Sequence, residues 1–264
     1  MILLKMLGAT EEEQIAGLLH DVSHTAFSHV IDWVVGEGRT EDYQDLQHAK
    51  FIRHSEIPDI LSKYGYGPER IIDYHNFGLL ERDLPDLCAD RVDYALREAP
   101  KNVLTVCLAT LTAKDQKIIM QNQAAAATFA RYYLKMQLAH WGGFEAVSRY
   151  RIFADALRLA LQDKTIDEAD FWQDDDFVVS KLKTSKNQSV QLILQTLRHK
   201  SLAKLDKSSV IAHKKFRYVD PLFLVGRKLV RLSQVDRKFK AEVKRATVVG
   251  QQGTVIPLVI KPAA

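Results

Sequence analysis

Ala16-Gly17-Leu18-Leu19-His20-Asp21-Val22-Ser23-His24-Thr25-Ala26-Phe27-Ser28-His29-Val30-Ile31-Asp32 holds the densest chemistry in this chain. It opens as an apolar helix and then places three histidines and two aspartates within thirteen positions. A core helix does not use its inward face that way, because burying an unpaired polar group costs roughly 2–7 kcal/mol. Imidazole and carboxylate side by side suit a first-row divalent metal, with neighbouring histidines left for proton transfer. Residues adjacent on a helix point about 100° apart, so one ion takes both His20 and Asp21 only where the helix ends or bends. The pair marks a metal site at a helix terminus.

His20 and His24, at i and i+4, also admit a zinc-protease helix. That motif requires Glu where this chain has Asp21. Its three-histidine form requires Gly in place of Phe27 and His in place of Val30, and His29 is one position off. A metalloprotease is excluded.

Leu18-Leu19-His20-Asp21, followed by His24, Phe27-Ser28-His29 and Asp32, resembles the central motif of the HD-domain phosphohydrolases. The branch it resembles contains the deoxynucleoside triphosphate triphosphohydrolases. Asp90-Arg91-Val92-Asp93-Tyr94-Ala95-Leu96-Arg97-Glu98 is similar to that branch's Asp-(Lys/Arg)-x-Asp-Tyr-x-x-Arg-Asp segment. Gln47-His48-Ala49 resembles its separate His-Glu site, with Ala49 replacing the acid. The similarity covers residues 10–180, and three motifs in the same order make it specific at superfamily level.

The resemblance implies a divalent metal (Mn, Fe, Zn, Ni or Mg) held by His20, Asp21 and Asp90. It implies that His24, His29 and Asp32 contact the scissile phosphate and move protons, and that His48 serves near the leaving group. Arg91 and Tyr94 match phosphate- and sugar-contacting positions. His140 matches a substrate position, although Leu138 and Trp141 replace the Tyr and Lys that flank it in the triphosphohydrolases. The family's first ligand is a histidine, commonly in a His-Ser pair, on the helix before His-Asp. Residues 1–19 contain no histidine, so the chain is expected to be an N-terminally shortened member. His54-Ser55 matches the pair locally but lies on the wrong side of His20-Asp21.

Composition agrees with a helical enzyme. At 264 residues and 47% apolar, the chain can bury a full core. Cys88 and Cys107 are too few for a disulfide framework, and with no long apolar segment the protein is expected to be cytoplasmic and off the membrane. Charge is uneven. Residues 181–264 hold 19 of the 37 basic side chains and 4 of the 33 acidic ones, leaving 18 against 29 in residues 1–180. Such a basic C-terminal third points to phosphate, nucleic acid or an acidic partner surface.

Thr10-Glu11-Glu12-Glu13 reads as a capping box, and Ile15, Leu18 and Leu19 give a helix ending near His20. Residues 32–45 read as a loop. Helical periodicity returns over 46–63, 68–75 and 84–98, with Pro85 in a first turn, then over 123–138, 144–162, 166–171, 177–182 and 189–199. Residues 215–220 alternate like a strand continued by 222–225, a basic helix capped near Ser233 and Asp236 runs to Arg245, and 254–260 read as an edge strand. The expected fold is mainly α: an HD-type helical domain over 1–205 with a small basic α+β appendage over 206–264.

Two functions follow. One is a metal-dependent phosphohydrolase acting on a nucleotide or another phosphate ester, such as a deoxynucleoside triphosphate, and expected to be a homo-oligomer. The alternative is a degenerate HD domain that binds a nucleotide or an acidic partner with little turnover.

Overall fold

The computed structural model describes residues 1–36, 38–203 and 209–260. The chain starts with α1 (Ile2–Met6) and α2 (Glu11–Leu19). Thr10 Oγ1 accepts from Glu13 N at 3.2 Å, which is half of the expected capping box. The Glu13 carboxylate is used elsewhere. α3 (Val30–Val35) follows the histidines, so helix takes up the first part of the expected 32–45 loop, and the next helix, from Tyr43, takes up the last.

The expected helix over 46–63 is two, α4 (Tyr43–Arg53) and α5 (Ile57–Lys63). Ser55 Oγ donates to Ile52 O and accepts from Ile57 N between them. Pro58 lacks an amide hydrogen and so starts a new helix rather than continuing the old one. α6 (Pro68–Ile72) is followed by α7 (Ala89–Arg97), which begins later than expected because Cys88 is an extended N-cap (φ −137°, ψ 164°). Pro85 lies in the turn before it, where its carbonyl accepts from Asp220 N.

α8 (Lys101–Thr110) leads into a hairpin, β1 (Leu111–Lys114) and β2 (Lys117–Met120). α9 (Gln123–Met136), α10 (Phe144–Gln162), α11 (Asp175–Thr184) and α12 (Gln188–Leu197) fall close to their expected places. The expected helix over 166–171 is a 3₁₀ turn, Glu168–Trp172, closed by a reciprocal Asp167–Asp170 capping box. β3 (Ser209–Ala212), β4 (Leu222–Val225), β5 (Lys228–Arg231), α13 (Leu232–Val235), α14 (Arg237–Gln252) and β6 (Thr254–Pro257) follow. Residues 215–220 form no strand. The molecule is mainly helical with a small sheet portion.

Contacts divide the chain into two interleaved units, each drawing on both sides of residue 205. The first comprises Met1–Ser23, Gln47–Gln137 and Arg217–Thr247. Its four-stranded sheet has the order β1-β2-β4-β5, with β2 and β4 parallel and the other pairs antiparallel. The second comprises His24–Leu46, Leu138–Phe216 and Val248–Ala264. Its core packs α3 and α12 on α10 through Trp33, Ala154, Leu157 and Val190, with Val178 of α11 in the same cluster, beside the antiparallel pair β3–β6.

Candidate metal centre

α2 ends at Leu19, and His20 is its C-cap (φ −61°, ψ −26°). His20 Nδ1 donates to the Gly17 carbonyl at 3.0 Å. A carbonyl only accepts, so this bond keeps a proton on Nδ1 and presents Nε2 as the lone-pair nitrogen of the neutral ring. Nε2 is buried, 3.1 Å from Asp21 Oδ2 and 3.5 Å from Asp90 Oδ1. Ligand atoms of all three side chains lie within 4.8 Å of one another. One imidazole nitrogen facing two carboxylates is a donor set for a divalent ion, and the backbone carbonyl behind the ring is the support such ligands normally have. Burial alone would lower the His20 pKa. The Asp90 and Asp21 carboxylates outweigh it and hold the pKa above its usual 6.5.

Asp90 comes from the first turn of α7, and Glu13 holds that turn against α2. The Glu13 carboxylate is buried (2% exposed) and accepts from Leu79 N at 2.7 Å and Leu80 N at 3.0 Å. The carbonyls of Leu79 and Leu80 in turn accept from Ala89 N and Asp90 N. One α2 acid therefore joins the helix bearing His20 to the helix bearing Asp90. The sequence reading missed it, because an acid in a first helical turn reads as capping. Its only signal is position, one turn before the buried Ala16 and Gly17.

Arg91 does not extend towards open space. Its Nη2 donates to Glu81 Oε1 at 2.6 Å, and its Nη1 donates to Cys88 Sγ at 3.0 Å and Asp86 O at 3.3 Å. Burial pushes the Cys88 thiol up to about 12. Tyr94 is hydrogen-bonded to the Tyr133 hydroxyl. Burial raises the pKa of both phenols, and the positive charge of Arg217 opposes it at each. Arg217 belongs to the segment expected to be a strand. His48, on α4, is buried, with Nδ1 3.4 Å from Ser23 Oγ and its ring edge-on to Tyr74.

In the second unit, His24 and His29 meet edge to face with centroids 5.5 Å apart. His29 Nδ1 is 3.4 Å from Asp32 Oδ2, and Asp32 Oδ1 accepts from Tyr43 N at 3.0 Å. Burial works to raise the Asp32 pKa, but the hydrogen bonds from His29 and the Tyr43 amide outweigh it and lower it. Phe27 and Ser28 both have left-handed backbone (φ 58° and 44°), a strained pair that turns the chain from His24 into α3. The turn is tied down by Ala26 N to Phe171 O and by Phe27 N to Asp175 Oδ1. An open cavity of ≈ 570 Å³ here is lined by His24, Thr25, Ala26, Gln173 and Asp174 to Asp176. His140 is exposed in a π-helical turn, Gln137–Trp141. His54 is exposed and bonded back to its own helix at Lys50 O, and Asp93 and Arg97 form the expected surface pair.

No known family model matches the chain. The chain is 36% identical to an uncharacterized protein, YdhJ, from Bacillus subtilis, over 98% of this chain and 82% of that protein. It is 27% identical to the metal-dependent phosphohydrolase cns2 of Cordyceps militaris, over 83% of this chain and 67% of that protein. A solved structure of a hypothetical protein from Aquifex aeolicus covers 90% of this chain and 76% of its own, with a TM-score of 0.61 and 19% identity. A phosphohydrolase from Bacteroides thetaiotaomicron covers 85% and 75%, with a TM-score of 0.55 and 12% identity. These two share the fold.

Proposed function

The chain belongs to the family of the Bacillus subtilis protein YdhJ, and we propose that it is a metal-dependent phosphohydrolase of the HD superfamily acting on a nucleotide. The observation that carries this reading is the meeting of His20 Nε2 with the Asp21 and Asp90 carboxylates. The likeness to the Cordyceps militaris phosphohydrolase supports it.

His20, Asp21 and Asp90 would hold a first-row divalent ion, which when bound supplies an activated water and screens phosphate charge. The remaining work falls to the chain's own groups. His29, with Asp32 behind it, has the pattern of an oriented proton carrier, because a carboxylate that keeps its charge stabilises the imidazolium. His24 and His48 are assigned further proton handling, and Tyr94 and His140 are assigned contact with the substrate.

The test is to count metal in the purified protein and then assay a panel of nucleotides and simple phosphate esters with Mn²⁺. The reading expects metal and phosphate release in the wild type, and loss of both in H20A and D90N. Metal-dependent turnover that survives D90N overturns it.

A second reading, binding of nucleic acid, is favoured by α14. Arg237, Lys238, Lys240, Lys244 and Arg245 are exposed there, while the helix's acid, Glu242, is paired with Arg131. Phosphate neutralised by such a face would make affinity fall steeply with salt. Binding to DNA or RNA with no such salt dependence counts against it.

A further inference from the structure

Asp90 belongs to two clusters of metal-ligating atoms. His20 and Asp21 form one with it, Glu81 and Cys88 form the other, and within each the ligand atoms lie within 4.8 Å of one another. A carboxylate shared by two such sets is the layout of a two-ion centre, in which ions about 3.5–4 Å apart clamp a phosphate from both sides. The second set is already taken. Arg91 Nη2 is 2.6 Å from Glu81 Oε1, and Arg91 Nη1 is 3.0 Å from Cys88 Sγ.

We propose that the Arg91 guanidinium fills the second cation seat, so that the protein takes one metal ion at His20–Asp21–Asp90 and none at Glu81–Cys88–Asp90. The proposal rests on the metal reading above and adds the number of ions and the reason for it.

The local sequence dictates the arrangement. Cys88 is the N-cap of α7 and Arg91 stands three residues on, so their side chains share one face of the first turn. Glu81 reaches the same face from the preceding turn, and the Asp86 carbonyl accepts from Arg91 Nη1 as well. Arg91 is only 11% exposed and Cys88 fully buried, so the guanidinium has little freedom to swing out for an incoming ion. An arginine is charged at every accessible pH, so it fills the seat permanently. A divalent ion beside it would meet a fixed positive charge and would have to strip Glu81 and Cys88 of their donor. Arg91 is thus a positioning residue, committed to the cluster rather than to the substrate.

The experiment titrates the metal-free full chain with Co²⁺, counting bound ions after desalting and recording the absorption spectrum. The wild type should take one equivalent and show no thiolate-to-cobalt charge-transfer band. R91A should take a second equivalent with that band, and R91A/C88S should lose the band. R91K, which keeps a cation, should stay at one equivalent. Two equivalents or a thiolate band in the wild type overturns the proposal while leaving the metal reading intact, and this count needs no variant to fold. A folded R91A that stays at one equivalent also overturns it. No bound cobalt in any of the proteins removes the metal reading, and the proposal with it.

Discussion

His20 and Asp21 are neighbours in sequence, yet His20 Nε2 lies 3.1 Å from Asp21 Oδ2. Side chains adjacent on a continuing helix would diverge by about 100°. They converge here because α2 stops at Leu19, His20 caps it, and Asp21 belongs to the turn beyond. The same helix end frees the Gly17 carbonyl to hold the imidazole through Nδ1. Helix termination and ligand orientation are one structural event.

Removing a side chain proposed to hold the ion should remove the ion. Losing even a group that only supports a ligand costs 10–100-fold in affinity or activity, and H20A or D90N removes a ligand itself. Metal affinity should drop by about 100-fold or more in each, read by competition with a chromogenic chelator. Unchanged affinity in D90N would place the metal elsewhere.

Protons and metal compete for His20. Its pKa is raised in the metal-free protein, so Nε2 keeps its proton to higher pH than an ordinary histidine, and binding must displace it. Affinity should therefore climb as pH rises through that raised value and fall below it. The sign for stability is opposite. A raised folded pKa stabilises the metal-free protein fully below about 6.5. That contribution fades as pH rises through the folded value. Urea midpoints of the metal-free wild type and H20A at about pH 6 and 8.5 should differ more at the lower pH.

Glu13 should matter for both folding and metal. E13A strands the Leu79 and Leu80 amides, each a buried donor worth about 1–3 kcal/mol when left unpaired. E13Q keeps an acceptor oxygen and should cost less. Both should loosen Asp90 and weaken metal binding while leaving every proposed ligand in place. Equal stability of E13A and wild type in urea would show that water replaces the carboxylate.

The long helices α10 and α12 of the second unit and the helix terminus at His20 are legible in the sequence, because apolar spacing and capping are local signals, whereas α3 lies mostly inside the expected loop. α10 runs from Phe144 to Gln162, as its periodicity predicts. The hairpin β1–β2 is not legible. Its turn residues Asp115 and Gln116 both adopt positive φ without a glycine, so the usual turn signature is missing. β2 then pairs with β4 about a hundred residues later, a contact no short window contains. Residues 215–220 alternate in type yet pair with nothing as a strand. Asp220 N is instead bound by the Pro85 carbonyl, and Lys214 lies over the Tyr150 ring. The setting of Arg91 is illegible for a related reason: its motif position points to substrate contact, whereas the side chains it bonds, Glu81 and Cys88, lie ahead of that motif in sequence.

Asp32 offers a test confined to the second unit. Its side chain is 5% exposed, accepts the Tyr43 amide hydrogen and faces His29. D32A removes the acceptor and should cost about 1–3 kcal/mol at neutral pH. D32N keeps an oxygen for Tyr43 N but gives up the charge opposite His29, so it should cost less in stability. If His29 carries a proton in turnover, D32N should still lose most activity. The pH sign follows from the lowered pKa of Asp32. Its contribution is fully present above the unfolded carboxylate value of about 3.9 and disappears as pH falls through the lower folded value. The stability gap between wild type and D32N, measured by urea unfolding, should therefore be widest near neutrality and close in strong acid. A gap of equal size at both ends would mean that Asp32 acts through shape rather than charge, and would remove the reason for assigning it a role behind His29.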